Sequence, residues 1–396
     1  MQERLVSVTG LGYVGLSVAA AFARRRRVVG FDVDESRVAE LRAGHDRTRQ
    51  LTDVELRGLD LLYTTRPADL RSANFHIVAV PTPVDEARQP DLRHLLSAAR
   101  TVGEHLKAGD VIVFESTVYP GATEQDCVPV LEKASGWADW RRVLKQVDYM
   151  SSKSRFSAWP KFAEIRKVVS AMDEDTLEVL AATYGEVVAA GVVRSPSIRV
   201  AEAAKVVENT QRDVNVAFVN ELALIFDKMA IDTYDVLRVA RESIASTFQG
   251  WGHCVGVDPY YLISKAEQFG QCPRLLQAAR RTNEDMAEWI VTRCVKELVR
   301  QEGAPMGGAT RVALLGLTFK RDCAELRNSK AADIVRHFRE YRLEPLVHDP
   351  LADADEAMRI CNLSIVPLAH IRRCRLPSSP SLTNSTWICP HPTTHR

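Results

Sequence analysis

Residues 4–34 constrain the fold more than any other stretch. RLVSVT (4–9) reads as a short strand, and the loop Gly10-Leu11-Gly12-Tyr13-Val14-Gly15 follows it. LSVAAAFARR (16–25) reads as a helix, and VVGFDVD (28–34) as a second strand carrying Asp32 and Asp34 at its end. G-x-G-x-x-G alone is a weak signal. Set between a strand and a helix, with an acid about twenty residues further on, it is the fingerprint of a dinucleotide site. Gly10 makes the tight turn, Gly12 lets a pyrophosphate approach the backbone, and Gly15 packs helix on strand, with the helix N-terminus facing the phosphates. Tyr13 and Val14 belong to the same loop. Asp32 is placed to accept from both ribose hydroxyls, which favours NAD over NADP. Arg37 is grouped with these cofactor-binding residues. The run Arg24 to Arg27, at the far end of the helix, reads as a solvated cluster that complements the helix dipole.

The pattern continues as a doubly wound sheet. NFHIVAVPTP (74–83) and DVIVFESTVYPG (110–121) read as buried strands, with LRHLLSAARTVGEHL (92–106) as a helix between them. Ligands of such sheets sit beyond the carboxyl ends of the strands. Thr82 and Thr117 stand at two such ends, though a strand-end Thr also serves as a plain turn cap. Residues 148–165 show no periodicity and read as a loop. IRKVVSAM then reads as a strand and DTLEVLAATYGEVVAAG (175–191) as a helix closed by Gly191.

AEAAKVVENTQRDVNVAFVNELALIF (201–226) reads as one uninterrupted helix, with apolar residues at three- and four-residue steps and no Pro or Gly. Lys205 and Asn209 project from one face of it. Partial exposure accounts for such a pair as readily as function does. The functional alternative is two donors aimed at a developing oxyanion. The neighbouring segments tip the balance toward function. A dinucleotide-binding pattern lies before the helix, and ASTFQGWGHCVGVDPYYL (245–262) lies after it. There Cys254 sits beside His253 among Gly250, Gly252 and Gly256, a loop that lets backbone N–H groups converge on a small reacting atom. A buried structural thiol is the ordinary fate of a Cys. In this setting Cys254 reads as a nucleophile, with Asp258 four residues on. Cys272 and Cys294, read as helical, together with Cys127, Cys323 and Cys361, read as structural thiols.

EDMAEWIVTRCVKELVRQEG (284–303) reads as a helix, PMGGAT (305–310) as a linker, and RVALLGLTFK (311–320) as the start of a second strand–loop–helix unit. That unit continues through the helix SKAADIVRHFREY and the strand LEPLVHDP. Lys320 and Arg327 suit a pyrophosphate, or else form a solvated pair. From about Arg372 the chain is rich in Pro, Ser and Thr without periodicity, which predicts disorder.

Composition excludes several classes of function. With 52 basic and 51 acidic residues the formal charge is +1, so nothing suggests a nucleic-acid or membrane partner. The N-terminus runs directly into a strand and no apolar run is long enough to span a bilayer, so no signal peptide or anchor is expected. The eight Cys show no C-x-x-C and no zinc spacing, which fits free thiols in a reducing cytoplasm and no metal.

The motifs GLGYVGL, VPTPVDEARQPDL, ESTVYPGATE, AEAAKVVENTQRDVNVAFVNE, GHCVGVDPYYL and LLGLTFKRDCAELRNS, in this order, resemble the UDP-glucose/GDP-mannose dehydrogenase family, and most closely its UDP-N-acetylhexosamine 6-dehydrogenase branch. The resemblance implies oxidation of a sugar C6 alcohol to a carboxylate with two NAD⁺. It also implies an N-terminal Rossmann domain, a helical dimerising middle and a C-terminal Rossmann-like domain for the UDP. By the same resemblance Cys254 would attack the aldehyde, Lys205 and Asn209 would stabilise oxyanions, and Asp258, with Thr117 beside it, would position or deprotonate water. Asp32 would hold the adenosine ribose, and Lys320 and Arg327 would lie at the nucleotide ends.

Three segments depart from the family's pattern. MSSKSRFSAWP stands where a Ser-Pro-Glu-Arg-type segment with an acid/base Glu belongs. STFQGWGHC lacks an Arg that reaches the neighbouring subunit's substrate. The C-terminal domain loses resemblance near residue 372. The breaks are abrupt, which fits local shifts of reading frame; coding DNA whose other frames do not restore the motifs would exclude that origin.

The expected architecture is therefore α/β. It comprises an NAD-binding Rossmann domain (1–195), a central helical domain with the Lys/Asn pair and Cys loop (196–304), a partial C-terminal Rossmann-like domain (305–371) and a disordered tail (372–396). The expected activity is four-electron oxidation of a UDP-N-acetylhexosamine for surface polysaccharide precursors, by a cytoplasmic homodimer paired through the central helix. Two other readings compete with it: a catalytically impaired NAD-binding remnant, and a two-electron 3-hydroxyacid dehydrogenase that would need no thiol.

Overall fold

The computed structural model describes residues 4–136, 143–148, 162–240, 256–302, 312–319, 324–371 and 387–388. The chain divides into two compact units, 1–210 with 257–273, and 211–256 with 274–396.

The first unit is built on an eight-stranded sheet. Its strands are β1 (Val6–Thr9), β2 (Val28–Phe31), β3 (Leu61–Thr64), β4 (Phe75–Val78), β5 (Val111–Phe114), β6 (Val143–Asp148), β7 (Lys167–Ala171) and β8 (Val192–Arg194), in the spatial order β3-β2-β1-β4-β5-β6-β7-β8. Neighbours are parallel except β6 and β7, so the last two strands run against the rest. The two-residue period of a strand sends alternate side chains to opposite faces. Phe75 and Ile77 of β4, with Val111 and Val113 of β5, join one core; Val78, Ile112 and Phe114 join the other. The first core is covered by the helices Tyr13–Ala23 and Glu174–Gly185 through Leu16, Phe22, Leu180 and Tyr184. The second is covered by Arg93–Gly103 and Val128–Ser135 through Leu95, Ala99, Val102 and Leu131. Both faces of this mostly parallel sheet are thus buried, as such sheets require.

Chain order reverses between β1 and β4. The loops after these two strands therefore flank the crevice at the switch point, where ligands of open α/β sheets bind. The reversed β7 and β8 direct their carboxyl ends to the opposite edge and do not contribute to that crevice.

The helix predicted at 201–226 runs from Ile198 to Lys228. The helix predicted from residue 284 begins ten residues earlier, at Arg274, and ends at Glu302. Its first turns, RLLQAARRTN, are dense in charge and mask the apolar period. Cys272, expected on a helix, lies exposed in the loop before it.

In the second unit β9 (Ala313–Leu315) pairs in parallel with β10 (Leu346–His348) and with β11 (Trp387–Ile388). Val291, Val295 and Leu298 of the Arg274–Glu302 helix share one core with Leu314, Val335, Phe338 and Val347. Of the segment expected to be disordered, 372–396, only β11 lies within the described residues. The other departing segments, 150–162 and 245–252, lie outside them except for Phe162.

This second unit repeats the turn of the first. Gly10 (φ 92°) and Gly316 (φ 100°) both occupy the left-handed region, where a side chain would be strained. Gly10 N donates to Phe31 O and Gly316 N to His348 O, each at 2.8 Å. The acid that follows each second strand then receives the next backbone N–H. Asp32 Oδ2 accepts from Leu11 N, and Asp349 Oδ2 from Leu317 N, each at 2.7 Å. Burial raises the Asp349 pKa, but the N–H groups of Thr318 and Leu317 outweigh it, and the carboxyl ends below its ordinary value.

Candidate active site

The glycine loop meets the steric demands of a dinucleotide site. A Cβ on Gly15 would lie 1.8 Å from Gly10 O, which is backbone and cannot swing aside, so helix and loop touch through this glycine. A Cβ on Gly12 would meet nothing within 4 Å. The space beside Gly12 opens onto the N-terminus of the Tyr13–Ala23 helix, whose first turn carries no acid and whose cap has no side-chain hydrogen bond. Uncapped N–H groups, a positive dipole end and room at the backbone suit a pyrophosphate. Val14 is exposed beside them and Tyr13 half-buried. Asp32 uses one lone pair on each oxygen, for Leu11 N at 2.7 Å and Asp34 N at 2.9 Å. A carboxylate has about four such positions, so ribose hydroxyls can still be accepted.

Arg37 departs from the expectation. Its side chain is only 4% exposed and is turned inward. Nε donates to Leu11 O at 2.9 Å, and one terminal nitrogen to Asp46 at 2.7 Å. Asp46 also accepts from the N–H groups of Thr48, Gln50 and Leu51. Burial raises the Asp46 pKa, but the Thr48 hydroxyl and Arg37 outweigh it, leaving the carboxyl below its ordinary value. Arg37 therefore braces the glycine loop from beneath. Its position beside the fingerprint acid in sequence gave no sign of this inward turn.

Thr82 and Thr117 are brought together: Thr82 Oγ1 donates to Thr117 O at 2.7 Å. One residue back, Ser116 Oγ accepts from Val80 N at 3.1 Å and donates to Val80 O at 2.7 Å. The ends of β4 and β5 are thereby cross-tied.

Lys205 and Asn209 lie one turn apart, as the spacing requires, but neither is a surface residue. Asn209 is 1% exposed, and the Lys205 side chain, beside Glu208 Oε2 at 3.4 Å, is 12% exposed. Asn209 Nδ2 donates to Asp258 Oδ2, so the Lys/Asn face and the acid after the Cys loop meet although they are far apart in sequence. Asp258 is itself buried and opens the helix Asp258–Gln268. That helix, not foreseen from sequence, is held by Tyr261, whose hydroxyl donates to Thr82 O. Ser264 donates to Gln89 at 2.7 Å and Arg88 donates to the Tyr260 hydroxyl. A second unforeseen residue is Glu202, fully buried one turn before Lys205, which accepts from Gly121 N at 2.6 Å and Thr123 N at 3.0 Å. A Glu on the otherwise apolar approach to Lys205 was the available signal.

These bonds close a ring. It runs from Thr82 to Thr117, along the turn to Gly121, through Glu202 down the helix to Asn209, across to Asp258, and through Tyr261 back to Thr82. Cys254 and Lys320 lie outside the described residues. Arg327 belongs to the second unit, where Nε and a terminal nitrogen donate to Glu325 at 2.8 and 2.5 Å.

The sequence matches, in order, the NAD binding domain of the UDP-glucose/GDP-mannose dehydrogenase family at residues 4–156, its central domain at 199–285 and its UDP binding domain at 313–375. The chain belongs to the UDP-glucose/GDP-mannose dehydrogenase family. It is 46% identical over 377 residues to Protein CapL of Staphylococcus aureus, covering 93% of this chain and 88% of that one. It is 44% identical to UDP-N-acetyl-D-glucosamine 6-dehydrogenase of Pseudomonas aeruginosa, covering 90% and 85%. A solved UDP-glucose dehydrogenase from Pyrobaculum islandicum superposes with a TM-score of 0.78 at 27% identity, covering 92% and 86%. The chain is accordingly an NAD-dependent oxidoreductase with a UDP-binding domain. Membership with all three domains sets aside the 3-hydroxyacid dehydrogenase reading, and nothing in these similarities favours an impaired remnant. Among the described residues no helix is long and apolar enough to cross a membrane, and no group of His, Cys, Asp and Glu could hold a metal ion.

Proposed function

We propose that the chain oxidises the C6 hydroxyl of a UDP-N-acetylhexosamine to the carboxylate, in the supply of surface polysaccharide precursors. The observation that carries this reading is the pairing of Asn209 with Asp258, whose helix is tied through Tyr261 to Thr82 in the loop after β4. It is supported by the family's three domains and by relatives named for that activity.

NAD⁺, when bound, supplies the hydride acceptor, once for each of two oxidations. In the first, C6 loses a hydride and its hydroxyl passes a proton to the water held by Asp258, giving the aldehyde. The Cys254 thiolate adds to that carbonyl, and Lys205 and Asn209 steady the oxyanion. Loss of the second hydride leaves a thioester on Cys254, which water cleaves to the carboxylate and the free thiol. An amide presents N–H on one side and C=O on the other. Nδ2 carries two N–H groups; Asp258 accepts from one and so holds the amide with the other turned to the reacting oxygen, and the same carboxylate positions the water with Thr117. Thr82 and Thr117 hold the strand-end loops on the cofactor side, Arg327 belongs with the cofactor-binding residues, and Lys320, with Lys205 and Asn209, binds the UDP-sugar. The functional division is an NAD domain (1–195), a catalytic helical domain (196–304), a UDP domain (305–371) and a tail (372–396).

The active species is a homodimer paired through the long helix. Val200, Val207, Phe218 and Ile225 are all about half exposed in the single chain. At 100° per residue they fall within about 20° of one line along the helix, and an apolar stripe of that length suits a second copy. The free thiols Cys127, Cys272, Cys294 and Cys361 accord with the cytoplasm. Purified protein given NAD⁺ and either UDP-N-acetylglucosamine or UDP-N-acetylgalactosamine should yield the matching uronate by mass spectrometry. Turnover of UDP-glucose alone would reassign the substrate, and a monomer in light scattering would remove the dimer.

A further inference from the structure

Glu202 has no part in the steps above, yet a carboxylate is an expensive group to bury. It is fully enclosed, and its two oxygens take the N–H groups of Gly121 and Thr123 from a single turn. Apolar contact would hold a helix against a turn without that cost. What two charge-assisted hydrogen bonds add is a fixed distance and angle. The turn continues the strand-end loop through Ser116 and Thr117, which is tied to the loop after β4 at Val80 and Thr82. The helix carries Lys205 one turn further on and Asn209 one turn after that.

We propose that Glu202 is a positioning residue for hydride transfer. It sets the register between the loop on the dinucleotide side and the helix face on the substrate side. This rests on the functional reading above. The demand is geometric, because reacting atoms must approach to about 3–3.5 Å, and a misplacement of about 1 Å can cost about a hundredfold. The far side of the ring is closed separately through Asp258 and Tyr261, so a change at Glu202 disturbs the register without dismantling the site.

The test compares the full-length protein with Glu202→Gln and Glu202→Asp. The readouts are kcat, both KM values, thermal midpoint, and the primary deuterium isotope effect with the sugar nucleotide deuterated at C6. Gln keeps one acceptor but turns an NH₂ toward the second backbone N–H. Its kcat should fall about 10- to 100-fold, both KM values should stay within about twofold, and the isotope effect should rise as hydride transfer becomes limiting. Asp keeps both acceptors on a shorter stem and should fall between the two. A lowered thermal midpoint with wild-type kcat per NAD-binding molecule and an unchanged isotope effect would make Glu202 merely structural. If the Gln variant does not fold, the Asp variant decides on the same readouts. Wild-type protein that makes no NADH from any sugar nucleotide would overturn the functional reading, and the Glu202 assignment with it.

Discussion

Replacing Gly12 and Gly15 separately by Ala should give opposite phenotypes, because one glycine serves the ligand and the other serves the fold. Gly12 has φ −76°, which Ala adopts freely, and its added methyl meets nothing within 4 Å. Ala is a poorer N-cap than Gly by up to about 1 kcal/mol. It also loses about 0.4–1 kcal/mol less chain entropy on folding, so the two effects nearly cancel and stability should change by less than about 0.5 kcal/mol. The methyl nevertheless fills the space the pyrophosphate needs. Losing one or two charge-assisted bonds to phosphate, about 1.5–3 kcal/mol each, weakens NAD by at least about tenfold. In Gly15→Ala the methyl lies 1.8 Å from Gly10 O. Loop and helix must part, and destabilisation of about 1–3 kcal/mol follows. Calorimetric titration with NAD⁺, beside thermal melts without ligand, reads both quantities. Gly12→Ala binding NAD⁺ as tightly as wild type, or Gly15→Ala melting at the wild-type temperature, would show that the two glycines do not divide ligand and fold between them.

Arg37→Ala should cost about 3–5 kcal/mol, because it strips a buried carboxylate, Asp46, of its cation, and, with the brace on Leu11 O lost, it should also raise the Kd for NADH in the surviving folded fraction; denaturant melts and fluorescence titration test the two halves. Asn209→Ala should lower kcat by about a hundredfold or more without a matching rise in KM for NAD⁺, measured by steady-state kinetics. His76 is fully buried between Ser7 and Asp110, and burial holds its pKa below the ordinary 6.5 despite the Asp110 carboxylate. The unfolded chain therefore takes up a proton that the folded chain refuses. The stability due to neutral His76 is complete above pH 6.5 and is lost as pH falls from there toward the folded pKa, at up to about 1.4 kcal/mol per pH unit. His76→Gln should remove that part of the slope in melts between pH 7 and 5.

The fold was legible wherever a periodic or steric rule acts over a short span. The glycine loop, the buried strands after Asn74 and Asp110, and the long helix all follow from local spacing, because each residue there answers to its immediate neighbours. The site was legible only in part. Lys205 and Asn209 share a face by helix geometry, but the acceptance of the Asn209 amide by Asp258 joins residues 49 apart, and no spacing rule encodes that. Arg37 shows the reverse failure. Its place near the fingerprint acid suggested the cofactor, whereas a partner nine residues on, Asp46, draws its guanidinium inward. Glu202 and Tyr261 escaped notice because their partners are backbone groups, which leave no signature in a sequence.

A thioester on Cys254 requires four-electron oxidation, which is read out by the ratio of NADH formed to sugar nucleotide consumed. Wild-type protein with excess NAD⁺ should form two NADH for each UDP-N-acetylhexosamine converted to its uronate, and Cys254→Ala should yield no uronate. One NADH per sugar with the aldehyde as product, or two NADH per sugar from the Cys254→Ala variant, would rule out a thioester on Cys254.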